Sequence, residues 1–257
     1  SNRNQRKELD MLHRLGLGLT LGLLLAFTVA ADRDDDGFTP LFNGRDFTGW
    51  RIPGGPDGPW SVRDGIIHGD VRQAVQGDQS LWTLASYRNF ILKVDWRQWE
   101  APYENLVPDI LPDGSHRKDD AGKEVRLKVM DCDSGIYLRG TPKAQVNIWT
   151  WPVGSGEVYG YRTDGKMPAE VRAAVTPKKK ADKPVGEWNS FVITLRGDRL
   201  TVVLNDECVI DQAQLPDLPD EGPLALPHHG GFNKQMGKFT GPPSQVEFRS
   251  IAIKVLD

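Results

Sequence analysis

Two alternating segments in the middle of the chain decide its fold: DCDSGIYLRG at residues 131–140 and QVNIWTWPVGSGEVYGYR at residues 145–162. Successive side chains of a β-strand point to opposite faces of its sheet. Apolar residues such as Ile136 and Val146 therefore share one face, which we expect to join the core. The opposite face carries Tyr137, Arg139, Gln145, Asn147 and Trp149.

The polar and aromatic face suggests a ligand. Flat aromatic rings beside fixed hydrogen-bond donors and acceptors suit a ring that carries many hydroxyl groups, so we expect a sugar. An alternative stays open, because antiparallel sheets often leave one face toward water and carry Tyr, Trp and Arg there. The residues expected to bind the sugar are Tyr137, Gln145, Asn147, Trp149, Trp151, Tyr159 and Tyr161.

The rest of the chain also reads as all-β. Short alternating or β-branched runs recur between Gly, Pro, Asn and Asp clusters, and no segment sustains a helical period. Their number and spacing predict a two-sheet antiparallel jelly-roll sandwich, with long loops at 100–123 and 163–184. The predicted strands are 65–68, 90–96, 126–130, 135–139, 145–149, 157–161, 191–195, 200–204, 208–211, 223–226 and 246–255.

Composition narrows the class of partner. The 257 residues are 39% hydrophobic and 26% charged, which is typical of a globular protein. The net charge of −3 offers no basic excess to neutralise phosphates, so nucleic acid is not an expected partner.

The N-terminal region has the layout of a secretory signal peptide. Basic residues follow Met11, an apolar run extends to Ala31, and cleavage could follow Ala30 or Ala31. We expect residues 1–31 to be upstream sequence and signal, 32–37 an acidic leader, and 38–257 a single domain. The mature protein would be periplasmic, secreted or at the cell surface, without a membrane span; a retained anchor is the alternative.

The two cysteines leave two readings open. Cys132 and Cys208 lie in a chain expected to be exported, where a disulfide could persist. Their strand-like flanks favour two buried thiols over a bridge.

Five motifs in order resemble a known family: GFTPLFNGRDFTGW, WSVRDGIIHG, DSGIYLRG, GEWNSFVITLRGDRLTVVLND and VEFRSIAIKVL. Together they span residues 37–256 and resemble the bacterial 3-keto-disaccharide hydrolase domain family. The resemblance implies a concanavalin-like or laminin G-like jelly roll that acts on oxidised glycosides outside the cytoplasm. It places Arg139 on the arginine of the family's SGI-x-LR motif and His229 on a family histidine. Gln145 stands where many members carry a glutamate.

The residues also suggest a reaction. The chain has no Glu-x-Asp-x-x-Glu strand of the kind that many jelly-roll glycosidases use, which argues against a standard retaining hydrolase. A ketone at C3 of a sugar acidifies the C2 hydrogen, so one base and one oxyanion stabiliser would allow the C1 substituent to leave. We expect His229 or Glu157 to be the base and Arg139 to stabilise the enolate.

Several alternatives stay open. Bond cleavage could be hydrolysis or elimination, and the same aromatic face could serve a lectin-like carbohydrate-binding module without chemistry, or meet a protein partner. No cofactor is certain. A divalent metal is conceivable if Asp131 and Asp133 lie close to His229.

Overall fold

Two antiparallel sheets form a sandwich in the computed structural model, which describes residues 36–55, 58–73 and 77–257. This confirms the predicted all-β jelly-roll class. The strands described, in chain order, are β1 Thr39–Pro40, β2 Trp50–Arg51, β3 Trp60–Arg63, β4 Ile66–Gly69, β5 Leu81–Tyr87, β6 Phe90–Gln98, β7 Tyr103–Pro108, β8 Arg126–Asp131, β9 Asp133–Leu138, β10 Thr141–Trp149, β11 Asn189–Arg196, β12 Arg199–Leu204, β13 Glu207–Gln214, β14 Gly222–Leu226, β15 Phe232–Asn233, β16 Lys238–Phe239 and β17 Val246–Val255. The helices described are a 3-10 turn at Val71–Gln73, α1 at Tyr159–Arg162 and α2 at Ala169–Ala174.

The larger sheet has the strand order β13-β12-β11-β6-β17-β4-β3, with β1 added along β17. Its central strand β6 alternates strictly between buried and partly buried residues, which is the pattern of a strand with one face in the core. Phe90, Leu92 and Val94 supply that buried face and pack with Phe191 and Phe248 of the neighbouring strands.

The smaller sheet has the order β10-β9-β14-β5-β2 and carries the two segments that open the sequence analysis. Strands β9 and β10 pair antiparallel, with Tyr137 opposite Gln145 and Asp133 opposite Trp149. Ile136, Leu138, Val146 and Ile148 lie in the main core, as the alternation predicts. Tyr137 lies on the other face, in a separate cluster with Trp82 and Ala225.

Two smaller hairpins complete the described chain. Strands β7 and β8 pair with each other, and so do β15 and β16. The β7–β8 hairpin falls partly within the loop expected at 100–123, and α2 falls within the loop expected at 163–184. The predicted strands do not include β3, β5 and β7, nor the two-residue strands β1, β2, β15 and β16.

The strand expected at 157–161 is wrong, because Tyr159–Arg162 forms the one-turn helix α1. The cysteine expectation is half wrong: both thiols are free, but only Cys132 is buried, whereas Cys208 on β13 is exposed. The expected signal peptide and nearly all of the acidic leader lie outside the described residues. Residues 35–257 make one compact unit, and no helix in the described part is long and apolar enough to cross a membrane.

Candidate active site

The polar face of the β9–β10 hairpin opens onto a cavity of about 300 Å³. Besides the hairpin, it is lined by Tyr159 and Gly160 of α1 and by the loop residues His229 and Pro242. Its lining residues are Asp131, Asp133, Pro142, Gln145, Asn147, Trp149, Trp151, Tyr159, Gly160, His229 and Pro242.

His229 is held in a defined orientation in this cavity. Its Nε2 lies 2.9 Å from Gln145 Oε1, while Gln145 Nε2 donates to the carbonyl of Ser134 at 2.9 Å. Because the amide nitrogen donates to Ser134, the amide oxygen accepts a hydrogen bond from His229 Nε2–H, and Nδ1 is left as the unprotonated nitrogen. Nδ1 has no hydrogen-bond partner among the described residues. Burial lowers the pKa of His229 to about 4, so the imidazole is neutral at physiological pH.

Asp133 lines the same cavity and is the second titratable group of the site. Its side chain is partly buried, and its buried Oδ1 has no hydrogen-bond partner among the described residues. Burial, reinforced by the nearby Asp131 charge, raises the pKa of Asp133 well above its ordinary value. A carboxyl group of this kind keeps its proton to a higher pH than an exposed aspartate does.

Ser244 fixes the backbones of Asp133 and His229 relative to each other. Its Oγ donates to the carbonyl of Asp133 at 2.7 Å and accepts from the amide of His229 at 2.6 Å. The chain turns at Gly230, where φ is +76° and a Cβ would approach the Pro242 carbonyl oxygen to 2.6 Å. Only glycine allows this approach without displacing the loop.

Asp131 has a structural part in the site, because all of its acceptor positions are used. One oxygen accepts from the amide of Cys132 at 2.9 Å and from Thr150 Oγ1 at 3.0 Å. The other accepts from Asn105 Nδ2 at 2.8 Å and from Trp151 Nε1 at 2.9 Å. Asp131 therefore holds Trp151 in place, and its position near Asp133 adds to the effect of burial in raising the pKa of Asp133.

Three aromatic rings form one wall of the cavity. Trp149 and Trp151 stack with their centroids 4.1 Å apart and their planes 4° from parallel. Tyr159 stands perpendicular to both, at 6.0 Å and 6.5 Å. The structure thus brings these three predicted residues together with Gln145 and His229, while their binding of a sugar stays a prediction.

Asn147 supplies an uncommitted amide on the floor of the cavity. It is 2% exposed, and its side chain makes no hydrogen bond to any described residue. A buried amide without a partner is costly, and such groups in native proteins commonly meet a ligand or water.

The enolate role expected for Arg139 does not fit the structure. Arg139 follows β9 at the end opposite Asp133, and six residues of strand separate them by roughly 20 Å. Its guanidinium donates to the carbonyls of Arg88 and Pro219 and is absent from the cavity lining. Arg139 thus ties the 88–90 and 219–222 turns to the hairpin.

Three other predicted residues lie behind the cavity wall. Glu157 is fully buried in an ion pair with Arg162, and its burial raises its pKa to about 7. Tyr161 points into the core, where its hydroxyl donates to the Pro216 carbonyl at 3.0 Å. Tyr137 packs its ring edge against His229 at 6.1 Å without joining the lining. Glu157 is therefore misplaced for the base role, and Tyr161 is misplaced for the sugar platform.

Sequence reasoning missed Asp133 as an acid and Pro142, Gly160 and Pro242 as cavity walls. The alternation of the sequence could have indicated Asp133, because it places this residue on the same polar face as Trp149, its partner across the hairpin. The prolines and the glycine carry no such signal. Within the described residues, no group of three or more His, Cys, Asp or Glu is arranged to hold a metal ion.

The geometry defines a two-sheet sandwich with one aromatic-walled cavity that holds a neutral imidazole and a buried carboxyl group, a site suited to acid–base chemistry. The chain belongs to the family of 3-keto-alpha-glucoside-1,2-lyase-like domains, whose model matches residues 37–254.

Individual relatives agree with this assignment. The chain is 26% identical over 258 residues to the 3-keto-disaccharide hydrolase of Bacteroides thetaiotaomicron, covering 87% of this chain and 80% of that protein. Two crystal structures of candidate glycosyl hydrolases from Parabacteroides distasonis share the fold. One has a TM-score of 0.51 at 22% identity, covering 86% of this chain and 95% of the other; the second has 0.55 at 18%, covering 86% and 84%.

Proposed function

We propose that this protein cleaves the glycosidic bond of a 3-keto glycoside by proton abstraction at C2 followed by loss of the C1 substituent. The observation that carries the proposal is the pairing, in one cavity, of a neutral histidine with a free Nδ1 and a buried carboxyl group whose pKa is raised. The family and the Bacteroides relative support a keto-sugar substrate.

His229 is the base in this proposal. A neutral imidazole accepts a proton, and because Nε2 is engaged by Gln145, the free Nδ1 is the nitrogen available for this role. Abstraction of the C2 proton moves the C2–H electron pair into the C2–C3 bond and places the negative charge on the ketone oxygen. The side-chain Nδ2 of Asn147, which makes no hydrogen bond to a described residue, is the donor available to that oxygen.

Asp133 is the acid. As the enolate collapses, the C1–O bond breaks, and the leaving oxygen takes the proton of Asp133. The products are the free alcohol and an unsaturated keto sugar, with His229 protonated and Asp133 ionised. Transfer of a proton from His229 to Asp133 through solvent restores the resting state. Addition of water across the new double bond would turn the elimination into a net hydrolysis.

The aromatic wall has a binding role. The stacked Trp149 and Trp151 offer an apolar surface to the face of a sugar ring, while Tyr159 limits the opening. We also propose that the protein is exported, a proposal that rests on the signal-like sequence from Met11 to Ala31.

Product analysis tests the function. The protein is incubated with matched 3-keto and unoxidised glycosides, with and without a chelator, and release of the aglycone is followed. We expect release from the keto substrates alone, and a loss of at least about 100-fold in His229→Asn. The matched control is His68→Gln, a histidine on β4 that contacts Glu247. Binding without release would favour a carbohydrate-binding module, and chelator sensitivity would return a metal to consideration.

Isotope exchange separates the two steps. In D2O, His229 should catalyse exchange of the C2 proton of a keto sugar before the bond breaks. We expect Asp133→Asn to retain this exchange while losing aglycone release, and His229→Asn to lose both. Equal loss of exchange in the two variants would contradict the assignment of acid and base.

A further inference from the structure

We infer that a second cavity on the far side of α1 binds an anionic substituent, a carboxylate or a sulfate ester, carried by the part of the saccharide that extends out of the active site. This inference rests on the proposed function for its saccharide. The second cavity measures about 330 Å³ and is lined by Gly114, Ser115, His116, Lys118, Glu124, Arg162, Thr163 and Arg172.

The charge of this second cavity is predominantly positive. Lys118, Arg162 and Arg172 line it, against a single lining carboxylate, Glu124. Glu124 is engaged by His116 Nδ1 at 3.0 Å, and Arg162 is engaged by Glu157. The cations left for a ligand are therefore Lys118 at the exposed mouth and Arg172 at the inner wall.

Arg172 carries the strongest indication of a ligand. Its Nε is buried and has no hydrogen-bond partner among the described residues. The exposed Asp113 acts on it only through charge, from outside the lining. A guanidinium presents its donors in a planar fork that matches the two oxygens of a carboxylate or sulfate. An oxyanion in this cavity would satisfy the buried donor.

The second cavity has fixed walls. Gly114 has φ of +80°, and a Cβ there would lie 2.8 Å from the carbonyl oxygen of Arg172. Lys178 Nζ donates to the carbonyls of Pro112 and Ala173, at 3.1 Å and 2.6 Å, and so fastens the loop to α2. A pre-formed cavity loses little entropy when a ligand binds.

The two cavities are neighbours through α1. Tyr159 and Gly160 line the active-site cavity, whereas Arg162, in the same turn, lines the second cavity. The guanidinium of Arg162 lies 5.5 Å from the centre of the Tyr159 ring. A saccharide that leaves the active site past Tyr159 would reach the basic cavity within one sugar unit or two.

Binding of small probes tests the inference without any turnover. D-glucuronate, D-glucuronamide and glucose 6-sulfate are titrated into the protein and followed by NMR. We expect the carboxylate to bind about tenfold more tightly than the neutral amide, and the preference to fall with added salt. The sulfate arm shows whether the cavity prefers a sulfate ester to a carboxylate.

Variants locate the effect. Arg172→Gln should abolish the preference for the anion, and Lys118→Gln, at the exposed mouth, should weaken it even if the first variant fails to fold. The charge-matched control is Arg63→Gln, an exposed arginine on β3. Equal binding of glucuronate and glucuronamide, or a preference that survives both variants, would overturn the inference. If the anion preference is present but keto glycosides are not cleaved, only the proposed function is wrong. If keto glycosides are cleaved without an anion preference, only the inference about the second cavity is wrong.

Discussion

At the scale of single residues, Arg139 has a structural role where its motif predicts a chemical one. Its position in the SGI-x-LR motif predicts an enolate-stabilising role, yet its guanidinium donates to the carbonyls of Arg88 and Pro219. It is 3% exposed, so removal of the side chain leaves a void beside those carbonyls and takes away their donor.

Arg139→Ala should therefore destabilise the fold and spare the chemistry. We expect the free energy of unfolding to fall by about 1–3 kcal/mol, because the two carbonyls lose charged donors and the buried side chain leaves a void. Turnover per folded molecule should stay near the wild-type value. Urea denaturation and active-site titration measure the two quantities, with Arg63→Ala as the exposed control. A stable variant without turnover would restore the enolate role.

Gln145 tunes the base. Because its Oε1 meets His229 Nε2 at 2.9 Å, a carboxylate at this position would face the ring N–H and stabilise the imidazolium. The family resemblance places a glutamate here in many members, so this chain holds its histidine with a neutral partner.

Gln145→Glu should raise the pKa of His229 from about 4 by about 1 to 3. NMR titration of the imidazole measures this directly, and the pH–rate profile should move to higher pH by the same amount. Gln212→Glu, far away on β13, is the control and should leave both unchanged. An unaltered His229 titration in Gln145→Glu would show that the amide contact does not govern the base.

At the scale of elements, α1 determines the shape of both cavities. This helix packs directly on β10, where a Cβ at Gly160 would collide with the backbone of Lys143. The helix thereby sets the position of Tyr159 on one side and Arg162 on the other.

Gly160→Ala should push α1 away from β10. We expect lower stability, because a backbone contact cannot yield as a flexible side chain can, and a loss of sugar binding as Tyr159 moves. Gly165→Ala is the matched control, since nothing lies within 4 Å of a Cβ there. Thermal melting and fluorescence of the stacked tryptophans report the two effects. Equal behaviour of the two variants would contradict this account of α1.

The same helix shows where sequence reasoning reaches its limit. Alternation correctly predicted β9 and β10, because one face of each lies in the main core and the other at the site. Glu157, Tyr159 and Tyr161 alternate in the same way, which predicts that they share the polar face. In the structure, Glu157 is buried in an ion pair with Arg162, and the Tyr161 hydroxyl donates to the Pro216 carbonyl from the core. The Tyr161–Pro216 contact is distant in sequence, and the Glu157–Arg162 pair depends on the turn of α1. Neither follows from a local period, so the polar face could be predicted and its ends could not.

At the scale of the whole molecule, burial of titratable groups should make stability depend on pH in two opposite ways. The pKa of His228 and that of His229 are both lowered to about 4, chiefly by burial. The pKa of Glu157 is raised to about 7, also by burial.

The signs follow from which state binds more protons. Between pH 6.5 and about 4 the unfolded chain binds protons at His228 and His229, whereas the folded protein does not. The contribution of these histidines to the free energy of unfolding is therefore complete above pH 6.5 and is lost as the pH falls. Between pH 4.5 and about 7 the folded protein holds the Glu157 proton and the unfolded chain does not, so stability from this group is present at low pH and is lost as the pH rises.

Urea denaturation from pH 4 to 8 tests both signs in one protein. Relative to wild type, the His228→Gln/His229→Gln double variant should lose less stability between pH 6.5 and 4, because it lacks the groups that the unfolded state protonates. Glu157→Gln should lose less between pH 4.5 and 7, for the converse reason. Each variant thus serves as the other's control, because a general weakening of the fold would lower the free energy of unfolding equally in both pH ranges. Parallel pH profiles for the three proteins would show that these groups are solvated in the folded state and would contradict the lowered pKa of His229 and the raised pKa of Glu157.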